Sequence, residues 1–108
     1  MSVTKDQSIN ALQQRLIEFA AARNWTTYHS PKNLSMALSV EVAELLEHFQ
    51  WMTEAESSSL SAEVQAKVQD EVADVLLYLL QICNKLKIDP IDAAFSKLEK
   101  NAIKYPAP

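Results

Sequence analysis

Apolar positions recur at helical spacing along most of the chain. In the first segment Leu12, Leu16, Phe19 and Ala20 fall on one face, which predicts a helix over about Thr4–Arg23. Thr4 and Gln7 have the spacing of a capping box at its start. The periodicity stops between Asn24 and Pro31, and Pro31 favours extended backbone at the residue before it. A second helix is predicted over about Asn33–Met52, where Leu34, Leu38, Val42, Leu45, Phe49 and Met52 make one stripe. Thr53–Ser59 is a polar link rich in serine and acid. A third helix follows to Leu86, with Ser61 as its N-cap. The last helix starts with Asp89 as N-cap and Pro90 in its first position, and runs to about Asn101.

No stretch alternates with the period of a strand, so the predicted class is all-α: a four-helix bundle in a single domain over residues 1–108. The third helix differs from the others. Val75, Leu76, Leu77, Leu79 and Leu80 surround much of its circumference, which places it at the centre of the bundle and at a boundary between chains. A chain of this size buries only about 60–70% of its unfolded surface, so an oligomer would add useful burial.

Composition narrows the chemistry. With no glycine, the chain has neither a phosphate-binding loop nor a dinucleotide fingerprint, since both need backbone to approach phosphate closely. The net charge is -4 and no basic run is present, which argues against a nucleic-acid partner. The single cysteine, Cys83, lies in an apolar helical stretch and reads as a buried core thiol. The opening residues carry no apolar signal core, and no apolar run approaches the roughly 20 residues of a membrane span. The expectation is a cytoplasmic protein with no membrane partner.

Two helices carry a matching acidic phrase, Glu41-Val-Ala-Glu44 and Glu71-Val-Ala-Asp74. Residues three apart share a helical face, so each pair can aim two carboxylates at one spot. Glu41 borders the apolar stripe of its helix and Glu44 lies one step further out, while Glu47 faces water. Glu71 falls inside an apolar arc and Asp74 at its edge. A carboxylate in such an arc is costly unless paired or metal-bound, and four together repel one another. Magnesium resolves both problems, because it prefers carboxylate oxygen and completes its shell with water and phosphate. A di-iron site would want a histidine three residues after one acid of each pair, and neither Glu44 nor Asp74 has one; His48 is the nearest alternative ligand.

The phrase Glu41-Val-Ala-Glu44-Leu-Leu-Glu-His-Phe-Gln-Trp51, followed by Asp70-Glu71-Val-Ala-Asp74-Val-Leu-Leu-Tyr78, resembles the MazG-like nucleotide pyrophosphohydrolases, and most closely the short dCTP pyrophosphatase type. The likeness extends upstream through Phe19, Arg23, Trp25 and Tyr28-His29-Ser30-Pro31-Lys32-Asn33, and downstream through Lys100-Asn101 to Tyr105-Pro106. It implies an all-α pyrophosphatase fold assembled as a homodimer or homotetramer. It implies a hydrolase that uses magnesium, with manganese able to substitute, to cleave a (deoxy)nucleoside triphosphate to monophosphate and pyrophosphate. Housecleaning of non-standard or excess dNTPs, with dCTP-like substrates favoured, is the implied role.

The resemblance places the metal ligands at Glu41, Glu44, Glu71 and Asp74, with Glu41 or Glu44 positioning the attacking water. On this expectation cations rather than backbone amides hold the phosphates. Lys32, Lys100 and Lys104 are candidates to contact phosphate across a subunit boundary, and Asn33 and Asn101 to hydrogen-bond phosphate or sugar. Trp25, Tyr28, His29 and Trp51 are candidate stacking groups for the base, Tyr78 could order Glu71 or a water, and Tyr105 completes the substrate-binding set. Two alternatives stay open: a non-catalytic helical interaction module, and a related pyrophosphohydrolase acting on a phosphoribosyl nucleotide.

Overall fold

Each helix begins where a side chain can take up the free amides of its first turn. In a computed structural model, described for residues 6–108, α1 spans Ile9–Ala22, α2 Pro31–Glu47, α3 Glu54–Ser57, α4 Ala62–Leu86 and α5 Pro90–Lys104. No strand occurs among the described residues. Ser8, Ser30, Ser61 and Asp89 are the N-caps of α1, α2, α4 and α5, each accepting from a backbone N–H of the first turn.

Four boundaries differ from those predicted. α1 starts at Ile9, because the Ser8 hydroxyl accepts from the Ala11 N–H at 3.1 Å and caps the helix there. Gln7 therefore precedes the helix, and Thr4, the other half of the predicted capping box, lies outside the described residues. α2 starts two residues early, since Pro31 occupies a first-turn position whose missing N–H costs nothing. α2 ends at Glu47, after which the Phe49 and Gln50 amides both turn back to the Leu46 carbonyl. The apolar stripe continues through Phe49 and Met52 although the helix does not. α5 continues to Lys104, one turn beyond the predicted end. The polar link also holds the short α3, closed by a reciprocal Thr53–Glu56 capping box.

The lack of glycine shows at two helix ends. α1 closes with Asn24 at φ 57°, while the Asn24 and Trp25 amides donate to the Ala21 and Ala20 carbonyls. This is the left-handed closure usually given to glycine or asparagine. It sets Trp25 at the head of a 3₁₀ turn over Thr26–Tyr28 that leads into α2. α4 closes likewise at Lys87, φ 55°.

α4 is the central helix and packs against both α1 and α2. Leu16 and Ala20 from α1, Leu34 from α2, and Leu80 and Cys83 from α4 form the buried core, so the expected core thiol is observed. Gln13 and Asn84 lock α1 to α4 by two hydrogen bonds: Gln13 Nε2 donates to Asn84 Oδ1 at 2.9 Å, and Asn84 Nδ2 donates to the Gln13 carbonyl at 3.2 Å.

α5 makes no comparable packing, and none of its residues is buried. Its Phe95, Leu98 and Ile103 are 66%, 63% and 83% exposed. The radius of gyration is 17.1 Å, against about 13 Å for a compact chain of this length. The expected four-helix bundle therefore does not close within one chain: α1, α2 and α4 pack together, and α5 projects from them. Among the described residues no helix is long and apolar enough to cross a membrane.

Candidate metal centre and adjoining cavity

α2 and α4 run antiparallel, which brings the two acidic phrases together. One carboxylate oxygen from each of Glu41, Glu44 and Glu71 lies within 4.8 Å of the others. All three side chains are half-buried. The fourth predicted ligand, Asp74, is exposed and stands outside this group, yet close enough for its charge to act on Glu41 and Glu71. His48 caps the C-terminal end of α2 and does not join the cluster.

The electrostatics follow from burial and crowding. Glu41 is pushed up from 4.5 to about 7, first by desolvation, then by a hydrogen bond shared with Glu44 and by the charges of Glu44, Asp74 and Glu71. Glu71 is also raised, first by desolvation and then by the charge of Glu44. Glu41 Oε2 and Glu71 Oε2 are buried without a hydrogen-bond partner. Unpaired carboxylate oxygens are expensive to bury, and a cation would satisfy both. An all-carboxylate donor set suits a hard divalent ion.

The other predicted residues are spread over the 3₁₀ turn, α2 and the turn after it, α4 and α5. Trp25 is half-exposed, with its ring edge-on to Phe19 at 5.8 Å and near His29 at 6.2 Å. Arg23 lies over the Phe19 ring, its guanidinium carbon 3.4 Å from the ring centroid. Tyr78 is half-buried on α4, one turn after Asp74. Lys32 and Asn33 lie in the first turn of α2, where the Asn33 side-chain amide donates to the Tyr28 carbonyl at 3.0 Å and pins the preceding turn. Trp51 is 89% exposed in the turn after α2. Lys100, Asn101, Lys104 and Tyr105 lie on or just beyond α5, and are not brought to the acids within this chain.

The sequence pattern did not single out a second feature. A cavity of about 180 Å³ opens between α1, α2, α4 and the 3₁₀ turn. Its apolar walls include Leu16, Ala20 and Leu34, and its polar lining includes His29, Gln81, Asn84 and Lys85. The available signal was the spacing Asp74, Tyr78, Gln81, Lys85, which keeps one face of α4 polar through an otherwise apolar run.

Residues 36–108, which include both acidic phrases, match the model of the MazG-like family. The chain belongs to the MazG-like family. Among curated relatives, dCTP pyrophosphatase 1 of Homo sapiens is 37% identical over 108 residues, covering 98% of this chain and 64% of the relative. Its Rattus norvegicus counterpart is 36% identical over 107 residues, covering 97% of this chain and 63% of the relative. The chain thus spans somewhat less than two thirds of the curated relatives it matches. Among solved structures, a pyrophosphatase from Archaeoglobus fulgidus is 41% identical and superposes with a TM-score of 0.83, covering 99% of this MazG-like chain and 100% of the other.

Proposed function

We propose that this MazG-like protein is a divalent-metal-dependent pyrophosphohydrolase that cleaves a nucleoside triphosphate between the α and β phosphates. The products are the monophosphate and pyrophosphate. The observation that carries the proposal is the convergence of Glu41, Glu44 and Glu71 with two buried, unpartnered carboxylate oxygens. Glu41, Glu44 and Glu71 would hold the metal, with Asp74 closing the site at its exposed rim. Bound there, magnesium or manganese would offset the negative charge of the triphosphate and so favour attack at phosphorus. Glu41 or Glu44 orients the attacking water and takes its proton. The base stacks beside Trp25 and His29 at the N-terminal end of α2. Trp51, roughly 25 Å away beyond the other end of that helix, would reach a base only from a neighbouring copy.

The fold also supports a homodimer or homotetramer. The apolar face of α5 has no partner within the chain, and a second copy would cover it. In such an assembly Lys100, Asn101, Lys104 and Tyr105 would reach the phosphates of a neighbouring site. A preference for dCTP-like substrates follows the names of the mammalian relatives.

The test is a substrate panel with magnesium: each common ribo- and deoxyribonucleoside triphosphate, and a phosphoribosyl nucleotide, with products separated chromatographically. Release of dCMP from dCTP ahead of the other products supports the proposal. Turnover of the phosphoribosyl nucleotide alone would move the protein to the alternative activity. No turnover of any substrate would favour a non-catalytic module.

A further inference from the structure

The 3₁₀ turn Thr26–Tyr28 joins α1 to α2, with Trp25 before it and His29 after it. A hydrogen bond ties this stretch to each of three helices. The Trp25 N–H donates to the Ala20 carbonyl of α1 at 3.0 Å. The Asn33 side-chain amide, in the first turn of α2, donates to the Tyr28 carbonyl at 3.0 Å. Lys85 Nζ, in the last turn of α4, donates to the Thr26 carbonyl at 3.2 Å.

The first two ties each join residues five apart, so they shape the turn locally. The third spans 59 residues and fixes the turn against a different helix. Among the described residues, the side-chain hydrogen bonds that join distant parts of the chain are this one and the Gln13–Asn84 pair. The Gln13–Asn84 pair sets α1 against α4, and of the two only Lys85 reaches the turn.

The contact has a single chemical reading. An ammonium only donates and a carbonyl only accepts, so no choice of side-chain orientation enters. The same Thr26 carbonyl accepts the His29 N–H at 3.2 Å, so Lys85 holds the atom to which His29 is itself bonded. Among the described residues the Lys85 ammonium makes no ion pair, and replacing it removes this tie without disturbing another charge. Thr26, His29 and Lys85 all line the cavity between α1, α2 and α4, so the tie fixes how far the turn stands from α4 across it. Lys85 is eleven residues past Asp74, about 16 Å along the helix axis, and thus remote from the acids.

We propose that Lys85 is a positioning residue: by holding the Thr26 carbonyl it keeps Trp25 and His29 at the distance from α4 that a bound nucleotide needs. The proposal rests on the reading above that the base lies beside those two side chains, and it adds the residue that keeps them in place. A group acting only there supports ground state and transition state alike, so its loss raises KM and spares kcat.

The test uses Lys85→Met, which keeps an apolar stem without the ammonium, and Lys85→Arg, which restores a charged donor. With magnesium and dCTP, Lys85→Met should raise KM roughly fivefold, on the order of one solvent-exposed hydrogen bond, with kcat within about twofold of the wild type. Lys85→Arg should recover most of that loss. A second readout needs no catalysis. In a Trp51→Phe background Trp25 is the one remaining tryptophan. Acrylamide should quench it more strongly once Lys85→Met is added, and Lys85→Arg should restore the protection. Melting curves establish that each variant is folded.

A KM unchanged in Lys85→Met, Trp25 quenching indifferent to Lys85, or a Lys85→Arg variant that behaves as Lys85→Met overturns the proposal. Hydrolysis of dCTP with KM indifferent to Lys85 removes this inference and leaves the catalytic reading intact. A wild type that turns over no triphosphate removes the catalytic reading instead. Calorimetric titration with dCMP then decides: roughly fivefold weaker binding to Lys85→Met supports the positioning role, and equal binding overturns it.

Discussion

Protons and magnesium should compete for Glu41. Its carboxyl sits at about 7 rather than 4.5, because burial and three neighbouring acids disfavour its charge. At pH 6 about nine in ten molecules carry the Glu41 proton, and at pH 8 about one in ten. A metal that needs the carboxylate must displace that proton. Magnesium affinity should therefore sit near its plateau at pH 8, fall about tenfold by pH 6 and about a hundredfold by pH 5. Glu71, raised in the same direction, adds to the slope. Titration calorimetry from pH 5 to 8.5, in buffers of different ionisation enthalpy, measures both the affinity and the protons released. An affinity that stays flat between pH 5.5 and 8, or binding at pH 6 without proton release, would refute the reasoning.

The same group sets the stability of the metal-free protein. The folded pKa of Glu41 lies above its unfolded value, so its contribution is fully present below about 4.5 and lost as pH rises through about 7. The Tm of the chelated protein should fall between pH 5 and 8 by scanning calorimetry, and magnesium should restore it more at pH 8 than at pH 5.5. Leu80 is 1% exposed at the centre of the core, and Leu80→Ala should cost about 2–5 kcal/mol in urea unfolding. Phe95→Glu on the uncovered face of α5 should shift the assembly toward monomer in sedimentation equilibrium, and an unchanged mass would place the subunit contact elsewhere.

The helices were legible because helix signals are local. Ser61, Asp89 and Pro90 mark their starts by side-chain chemistry within one turn, and the structure uses all three as predicted. Ser8 went unnoticed because Leu12 and Leu16 continue the pattern without showing where the backbone first turns. The meeting of Glu41, Glu44 and Glu71 was legible from matched spacing on two amphipathic helices. The outlying position of Asp74 was not, since the relative rotation and axial offset of the two packed helices decide which carboxylates meet, and no spacing rule resolves them. Gln81 was hidden for a different reason. A single amide within a leucine-rich helix reads as an interruption until α1 and the 3₁₀ turn enclose it. The isolation of α5 was foreshadowed only indirectly, by the limited share of its surface that a chain of this length can bury alone.

The central claim is that the glutamate cluster supports metal-dependent cleavage between the α and β phosphates. Phosphorus NMR of dCTP incubated with the protein, with magnesium and then with excess chelator, tests it most directly. The prediction is growth of dCMP and pyrophosphate signals with magnesium, arrested by the chelator and absent in a folded Glu41→Gln variant. Appearance of dCDP and orthophosphate, or undiminished cleavage in Glu41→Gln, would contradict the account.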